Sequence, residues 1–297
     1  MNSRTAPSRG VMLLYLLPSF ILYSFIVFLP IAFAVYYSMF DWAGGATMTF
    51  IGLENFRTAI NDATFWLSFR NNIYLIVVCI IGQLGIAFLV ASLINTKWIL
   101  LKGLHRILGF FPYVLSAVVV GFIWRMIYDY NFGLLNALLR LVGLDHMTSI
   151  WLSEIRTIMA VASVPLIWQF IGMYLIIILA AMTSVDAEVL EMAEIDGANG
   201  FQRATKITFP LITPTLIVCI MLCVAGNMRV FDHIFAMTRG GPGFASHVMA
   251  LYAYTVTFRE GRMGYGTALS LLIMIMSFVL VVGTRVLLTQ LSKNKEV

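Results

Sequence analysis

The sequence predicts an all-α membrane protein with six transmembrane helices. Composition is the first reason: 61% of the 297 residues are hydrophobic and 11% are charged, with a mean hydropathy of +0.92. Soluble domains hold about 45–50% apolar and about 25% charged residues, so a soluble enzyme and a disordered chain are both excluded. Second, six apolar stretches are long enough to cross a hydrocarbon core about 30 Å thick. Third, those stretches are continuous and lack the alternation of barrel strands.

The first span, residues 11–40, follows Arg4 and Arg9. Ala32-Phe33-Ala34 resembles a signal-cleavage site. The run is about twice the usual ~7–15-residue signal core, which predicts a retained helix. The remaining spans are expected at 73–94, 107–128, 158–182, 209–231 and 267–288, inside a membrane domain covering 11–290. Short termini, 1–10 and 291–297, flank it.

Six spans place both termini on one side, and Lys and Arg in short loops set which side. With the N-terminus inside, Arg4, Arg9, Lys97, Lys102, Arg106, Arg203, Lys206, Arg285, Lys293 and Lys295 are cytoplasmic, ten of 19. That tally barely discriminates. All the lysines fall inside, however, and Thr96–Arg106 is basic with no acid. Both termini are therefore expected in the cytoplasm.

Cys79, Cys219 and Cys223 lie inside apolar runs, an odd set that gives neither a disulfide framework nor a thiol metal site. His105, His146, His233 and His247 are scattered without ligand spacing, so no metal is expected. The mild charge excess of +5 suits cytoplasmic membrane flanks and no nucleic-acid partner. Leu134, Leu135, Leu138, Leu139 and Val142 form a helical pattern too short to span, expected at the outer interface.

The loop 183–208 differs from the others. Asp186, Glu188, Glu191, Glu194 and Asp196 precede Gly197 and Gly200, and Arg203 and Lys206 follow. Ser184 is the expected N-cap, acids suit the helix start, and Gly197 or Gly200 can end the helix in a left-handed turn. A second helix is expected from about Phe201 toward Pro210. Val185, Val189, Leu190, Ala193 and Ile195 are too few to enter the bilayer. Docking on a partner protein and a plain solvated connection remain equal readings of these residues.

Glu191-Met192-Ala193-Glu194-Ile195-Asp196-Gly197-Ala198, then Phe201, Ile207 and Phe209-Pro210, resembles the EAA motif of ABC importer permeases. Met192 stands for an Ala and Phe209 for a Leu, while Gly197 and Ile207 hold the family spacing. A second set is similar to the first of two paired carbohydrate-type permeases, the maltose, lactose and glycerol-3-phosphate class. It comprises Phe231-Asp232-His233-Ile234-Phe235, Thr238-Arg239-Gly240-Gly241-Pro242, Tyr252, Tyr254, Phe258 and Gly264-Tyr265-Gly266-Thr267-Ala268. Phe50-Ile51-Gly52-Leu53-Glu54-Asn55-Phe56, Gly133-Leu134-Leu135-Asn136 and Trp151-Leu152 agree. The resemblance runs from about Leu13 onward and matches the shorter form without extra N-terminal helices.

That resemblance implies a type I ABC importer permease fold with a cytoplasmic coupling helix, in the bacterial inner membrane. It implies a heterodimer with a second permease, two ATP-binding cassette subunits that hold ATP and Mg, and an extracytoplasmic solute-binding protein. Glu191, Ala193, Asp196, Gly197 and Ala198 would couple to the ATPase. No G-x-x-x-x-G-K-[ST] loop occurs in the chain, so hydrolysis is expected elsewhere and no catalytic residue or cofactor here.

Polar residues inside spans suggest a solute path or a helix interface. Cys223, Asn227, Val230 and Phe231 share one helical face. The maltose-type resemblance implies that this face lines the sugar cavity, with Asn227 in contact; helix packing is the equal alternative. Arg229 and Asp232, at i and i+3, are expected to pair. In the fourth span Trp168 can stack on a sugar and Gln169 can bind hydroxyls, although an aromatic packed between helices is the commoner arrangement. Phe170 and Met173 join them by resemblance only. A glycerol-phosphate, amino-acid or peptide permease remains an alternative. A secondary transporter would show mid-span carboxylates or inverted repeats, and an intramembrane enzyme clustered catalytic groups; neither pattern is found.

Overall fold

A computed structural model describes residues 9–96 and 99–293. Arg4, Lys97 and Lys295, and the tracts 1–8 and 294–297, lie outside the described residues. The chain opens with α1 (Gly10–Tyr37), a hairpin of β1 (Phe40–Trp42) and β2 (Met48–Phe50), α2 (Glu54–Asn61) and α3 (Ala63–Ile94). Next come α4 (Lys102–Val114), α5 (Ala117–Ile127), α6 (Leu134–Leu141) and α7 (Ile158–Thr183). Then follow α8 (Ala187–Ile195), α9 (Gly200–Leu211) and α10 (Thr213–Met228). The chain ends with α11 (Asp232–Met237), α12 (Met249–Tyr254) and α13 (Met263–Ser292).

Four helices, α1, α3, α7 and α13, are long and apolar enough to span alone. Two bent pairs pass the same test only when each is taken together, α4 with α5 at 96° and α9 with α10 at 75°, each a broken span or a re-entrant loop. Among the described residues there are thus four candidate spans, or up to six if each bent pair is one span; the expected spans 107–128 and 209–231 are the bent ones. The span expected at 73–94 begins earlier, because the amphipathic stretch from Ala63 joins the apolar run without a break.

Two compact units divide the chain, 9–62 with Ala253–Leu272 and Ala63–Tyr252 with the rest of α13. In the first unit, α1 widens to π geometry at Ser24–Phe28, one turn before Pro30, which has no N–H to donate. Buried Asn55 donates to the carbonyls of Ser38 and Phe40, both at 2.9 Å, and so ties α2 to the end of α1. A Cβ on Gly264 would lie 2.0 Å from the Phe40 carbonyl oxygen, so only glycine permits this approach. Tyr265 donates its hydroxyl to Asp62 at 2.7 Å, under the Arg262 guanidinium, which sits 4.5 Å from the ring.

In the second unit, backbone freed at helix breaks must find partners, because lipid offers none. Side-chain amides supply them. Gln169 on α7 donates to the Leu115 carbonyl at the α4–α5 break, 2.7 Å away. Asn72 on α3 donates to the Asn227 carbonyl at 2.7 Å and accepts the Met249 N–H at 2.8 Å. Asn71 donates to the carbonyls of Ala245 and His247. Gln83 donates to the Leu166 carbonyl at 3.0 Å. Two short helices, α11 and α12, follow α10, and the Asn71 and Asn72 amides anchor the segment leading into α12.

Candidate functional site: an exposed helical pair and a buried amide cluster

The loop after α7 forms the expected helix–turn–helix. Its N-cap is Asp186, not Ser184: the Asp186 carboxylate accepts the Glu188 N–H at 3.1 Å, and Ser184 is still within the reach of α7. A carboxylate adds charge as well as an acceptor at a helix start, which favours it over a hydroxyl. Gly197 ends α8 with φ +83°, its N–H on Glu194 O and the Ala198 N–H on Ala193 O. No atom lies within 4 Å of where its Cβ would be, so the turn, not crowding, demands glycine. Asn199 and Gln202 then exchange side-chain and backbone bonds at 2.9 Å, a capping box that starts α9.

Arg203 on α9 reaches back to Glu194 on α8 at 2.7 Å. Ala193 is buried against the rest of the unit, whereas Met192, Ile195 and Phe201 are exposed, Ile195 at 85%. Glu191 lines a groove of about 540 Å³ with Ser92, Asn95, Met182, Leu190 and Thr208. Asp196 is exposed at the C-cap and Ala198 half-buried. The expected coupling residues therefore occur together on one short exposed element carrying both apolar and acidic surface.

The expected path residues divide into separate groups. Asn227 is buried, donating to the Cys223 carbonyl at 2.9 Å and lying 3.4 Å from its sulfur. Cys223 is also buried, and its thiol donates to Gln83 at 3.5 Å. Val230 is buried near the end of α10. Gln169 is 3% exposed with both amide ends engaged: it donates to Leu115 and accepts from His233 Nε2. Phe170 meets Tyr113 edge-on at 5.7 Å and His233 at 6.2 Å. Trp168 meets Trp124 edge-on at 6.0 Å, Phe231 stacks on Phe235 at 5.2 Å, and Met173 is half-buried.

Asn227 and Gln169 share no hydrogen bond among the described residues. Trp168, Phe170, Met173 and Phe231 keep part of their surface open, while Gln169 reaches from α7 to Leu115 and His233, and the Asn227 side chain bonds back within α10. Arg229 does not pair with Asp232 among the described residues; its Nε donates to the Ala225 carbonyl at 3.2 Å, one turn back along its own helix. Asn72, Gln83 and His233 were missed as partners, although an amide or imidazole inside an apolar run is itself the signal that could have found them. The three cysteines are free.

Several long apolar helices and bent helix pairs, with a short exposed helical pair between two of them, define a multi-pass membrane protein. The chain belongs to the binding-protein-dependent transport system inner membrane component family, whose model matches residues 83–294. It is 35% identical over 280 residues to a probable ABC transporter permease protein of Pyrococcus horikoshii, covering 94% of this chain and 95% of that one. A probable permease of a starch degradation products transport system from Thermoanaerobacterium thermosulfurigenes is 28% identical, covering 96% and 94%. A chain of a bacterial alginate ABC transporter, solved with an alginate pentasaccharide-bound periplasmic protein, has the same fold. Its TM-score is 0.82 at 22% identity, covering 96% of each chain.

Proposed function

We propose that this permease translocates a sugar or sugar-like solute as one half of a two-permease importer driven by a separate pair of ATPase subunits. Those subunits bind ATP and Mg, and an extracytoplasmic binding protein delivers the solute. The observation that carries the reading is the exposed pair Ala187–Ile195 and Gly200–Leu211, held as one unit by Glu194–Arg203. It sits on the side of the proposed cytoplasmic termini, and its EAA-like residues Glu191, Ala193, Asp196, Gly197 and Ala198 dock on an ATPase. Sugar specificity is supported by the likeness to the permease for starch degradation products. Solute passes along Trp168, Phe170, Met173 and Phe231, with Asn227, Gln169, Cys223 and Val230 behind them. Reconstitution with ATPase and binding protein should give sugar uptake that requires ATP. Uptake that persists without any ATPase overturns the reading.

One observation favours an acidic sugar-like solute over a neutral one. The Arg229 guanidinium is exposed and unpaired with any carboxylate among the described residues. Competition by neutral and carboxylated sugars in the same assay separates the two.

A further inference from the structure

At the end of α5 lies an open groove of about 570 Å³ lined by Phe122, Arg125, Met126, Asp129, Phe132 and Leu134 among others. Its lining is open: Phe132 is 92% exposed and Met126 73%. The adjoining α6 exposes Leu134, Leu138 and Leu141. A short helix with such a face suits the plane of a membrane boundary, which would open the groove at headgroup level.

Two opposite charges flank this apolar trough. Arg125 and Asp129 are one turn apart, a spacing at which such side chains usually meet. They do not pair. Asp129 Oδ1 accepts the N–H groups of Asn131 and Phe132, each at 2.9 Å, which fixes the carboxylate and leaves Oδ2 open. Arg125 makes no hydrogen bond or ion pair among the described residues. A zwitterionic ligand with an apolar tail complements this arrangement.

We propose that the groove binds an aminophospholipid, phosphatidylethanolamine in type. The phosphate lies on the Arg125 guanidinium, the ammonium on Asp129, and the acyl chains run along Phe122, Met126, Phe132 and Leu134. A guanidinium matches phosphate geometry with paired donors. A primary ammonium donates to the carboxylate. Choline has no N–H to donate, and glycerol carries no positive charge. The site therefore selects the amine headgroup over both.

The test uses the full-length chain purified in detergent, with whatever subunits accompany it. Short-chain phosphatidylethanolamine, phosphatidylcholine and phosphatidylglycerol are titrated, and bound lipid is counted by native mass spectrometry. The ethanolamine lipid should bind about tenfold more tightly than the choline lipid, as expected for one hydrogen bond to a charged group. Asp129→Asn keeps the acceptor for the two N–H groups and should abolish that preference while choline-lipid binding persists. Arg125→Gln should weaken all three lipids by about tenfold, and Arg125→Lys should keep most of the binding. Equal binding of the amine and choline lipids to the native chain overturns the proposal. So does unchanged lipid binding in Arg125→Gln, including the case in which that variant instead sheds an accompanying subunit, which marks a protein interface.

Discussion

The side-chain amide of Asn72 donates to the backbone carbonyl of Asn227 at 2.7 Å, across 155 residues of sequence. The same amide accepts the Met249 N–H. One asparagine thus satisfies two backbone groups on two other elements, in a setting where water is not available to replace it.

Asn72→Ala should therefore strand a carbonyl and an N–H. Leaving a buried polar group unpaired costs about 1–3 kcal/mol. The variant should unfold at lower temperature in detergent and accumulate poorly, whereas Asn72→Gln should be milder because it retains an amide. A native-like melting temperature for Asn72→Ala contradicts the bracket role.

Asn227→Ala tests a different function. The substitution leaves the Asn227 carbonyl and its bond from Asn72 in place and removes only a bond within α10. Solute contact predicts normal abundance with transport reduced about 2- to 13-fold at subsaturating solute, the worth of one neutral hydrogen bond. Packing alone predicts lower abundance with unchanged transport per molecule. Uptake normalised to protein in the membrane distinguishes them.

At Gly197 the left-handed backbone, φ +83°, is the constraint. A residue with a Cβ there costs about 1–2 kcal/mol, so Gly197→Ala should loosen the turn, and Gly197→Asn should be tolerated better. Membrane insertion should be unaffected in both, since the turn is exposed. The expected loss is in ATPase association or coupled uptake, measured by co-purification and vesicle transport. Full coupling in Gly197→Ala removes the assignment.

The Glu194–Arg203 pair invites a double-mutant cycle. The Glu194 side chain is 60% exposed, so solvent screens the pair. A coupling energy of about 0.2–1 kcal/mol is expected, falling with added salt. Its effect should appear in coupled transport more than in melting temperature. A coupling energy near zero in low salt would mean that the two helices are held by their caps alone.

Single cysteines in a cysteine-free background check the proposed orientation. Ala43→Cys should react from outside and Thr96→Cys from inside. Ala43 is exposed in the hairpin, which makes it a better reporter than half-buried Ala245. External labelling of Thr96→Cys reverses the topology.

The span positions and the projecting helix pair were legible in the sequence because continuous apolar runs and a Gly-terminated acidic helix are local signals. The bends were not. Pro112 and Pro214 lie near them, but neither residue states an angle of 96° or 75°; the first break takes an amide from α7 and the second keeps its backbone ladder through Ile212. Gln169 shows the same limit at the site. Its polarity inside a span marks it as a candidate path residue. Its partners, Leu115 and His233, lie 54 and 64 residues away, beyond the reach of any local pattern. The Arg229–Asp232 spacing misled for the opposite reason: α10 ends at Met228, so helical neighbourhood no longer applies beyond it.

The junction between α9 and α10 has a mechanical consequence. Only Ile212 separates Leu211 from Thr213, and it is 3% exposed. Its N–H bonds to Thr208 O and its carbonyl receives the Leu216 N–H, both at 3.0 Å, so the ladder continues around the corner. A connection of this kind has no slack. Displacement of the exposed pair cannot be absorbed by a floppy linker and must tilt α10 as a bell crank does, shifting the far end where Cys223 and Asn227 sit. Inserting glycines on either side of Ile212 would decouple stroke from tilt while leaving both ends of the lever folded.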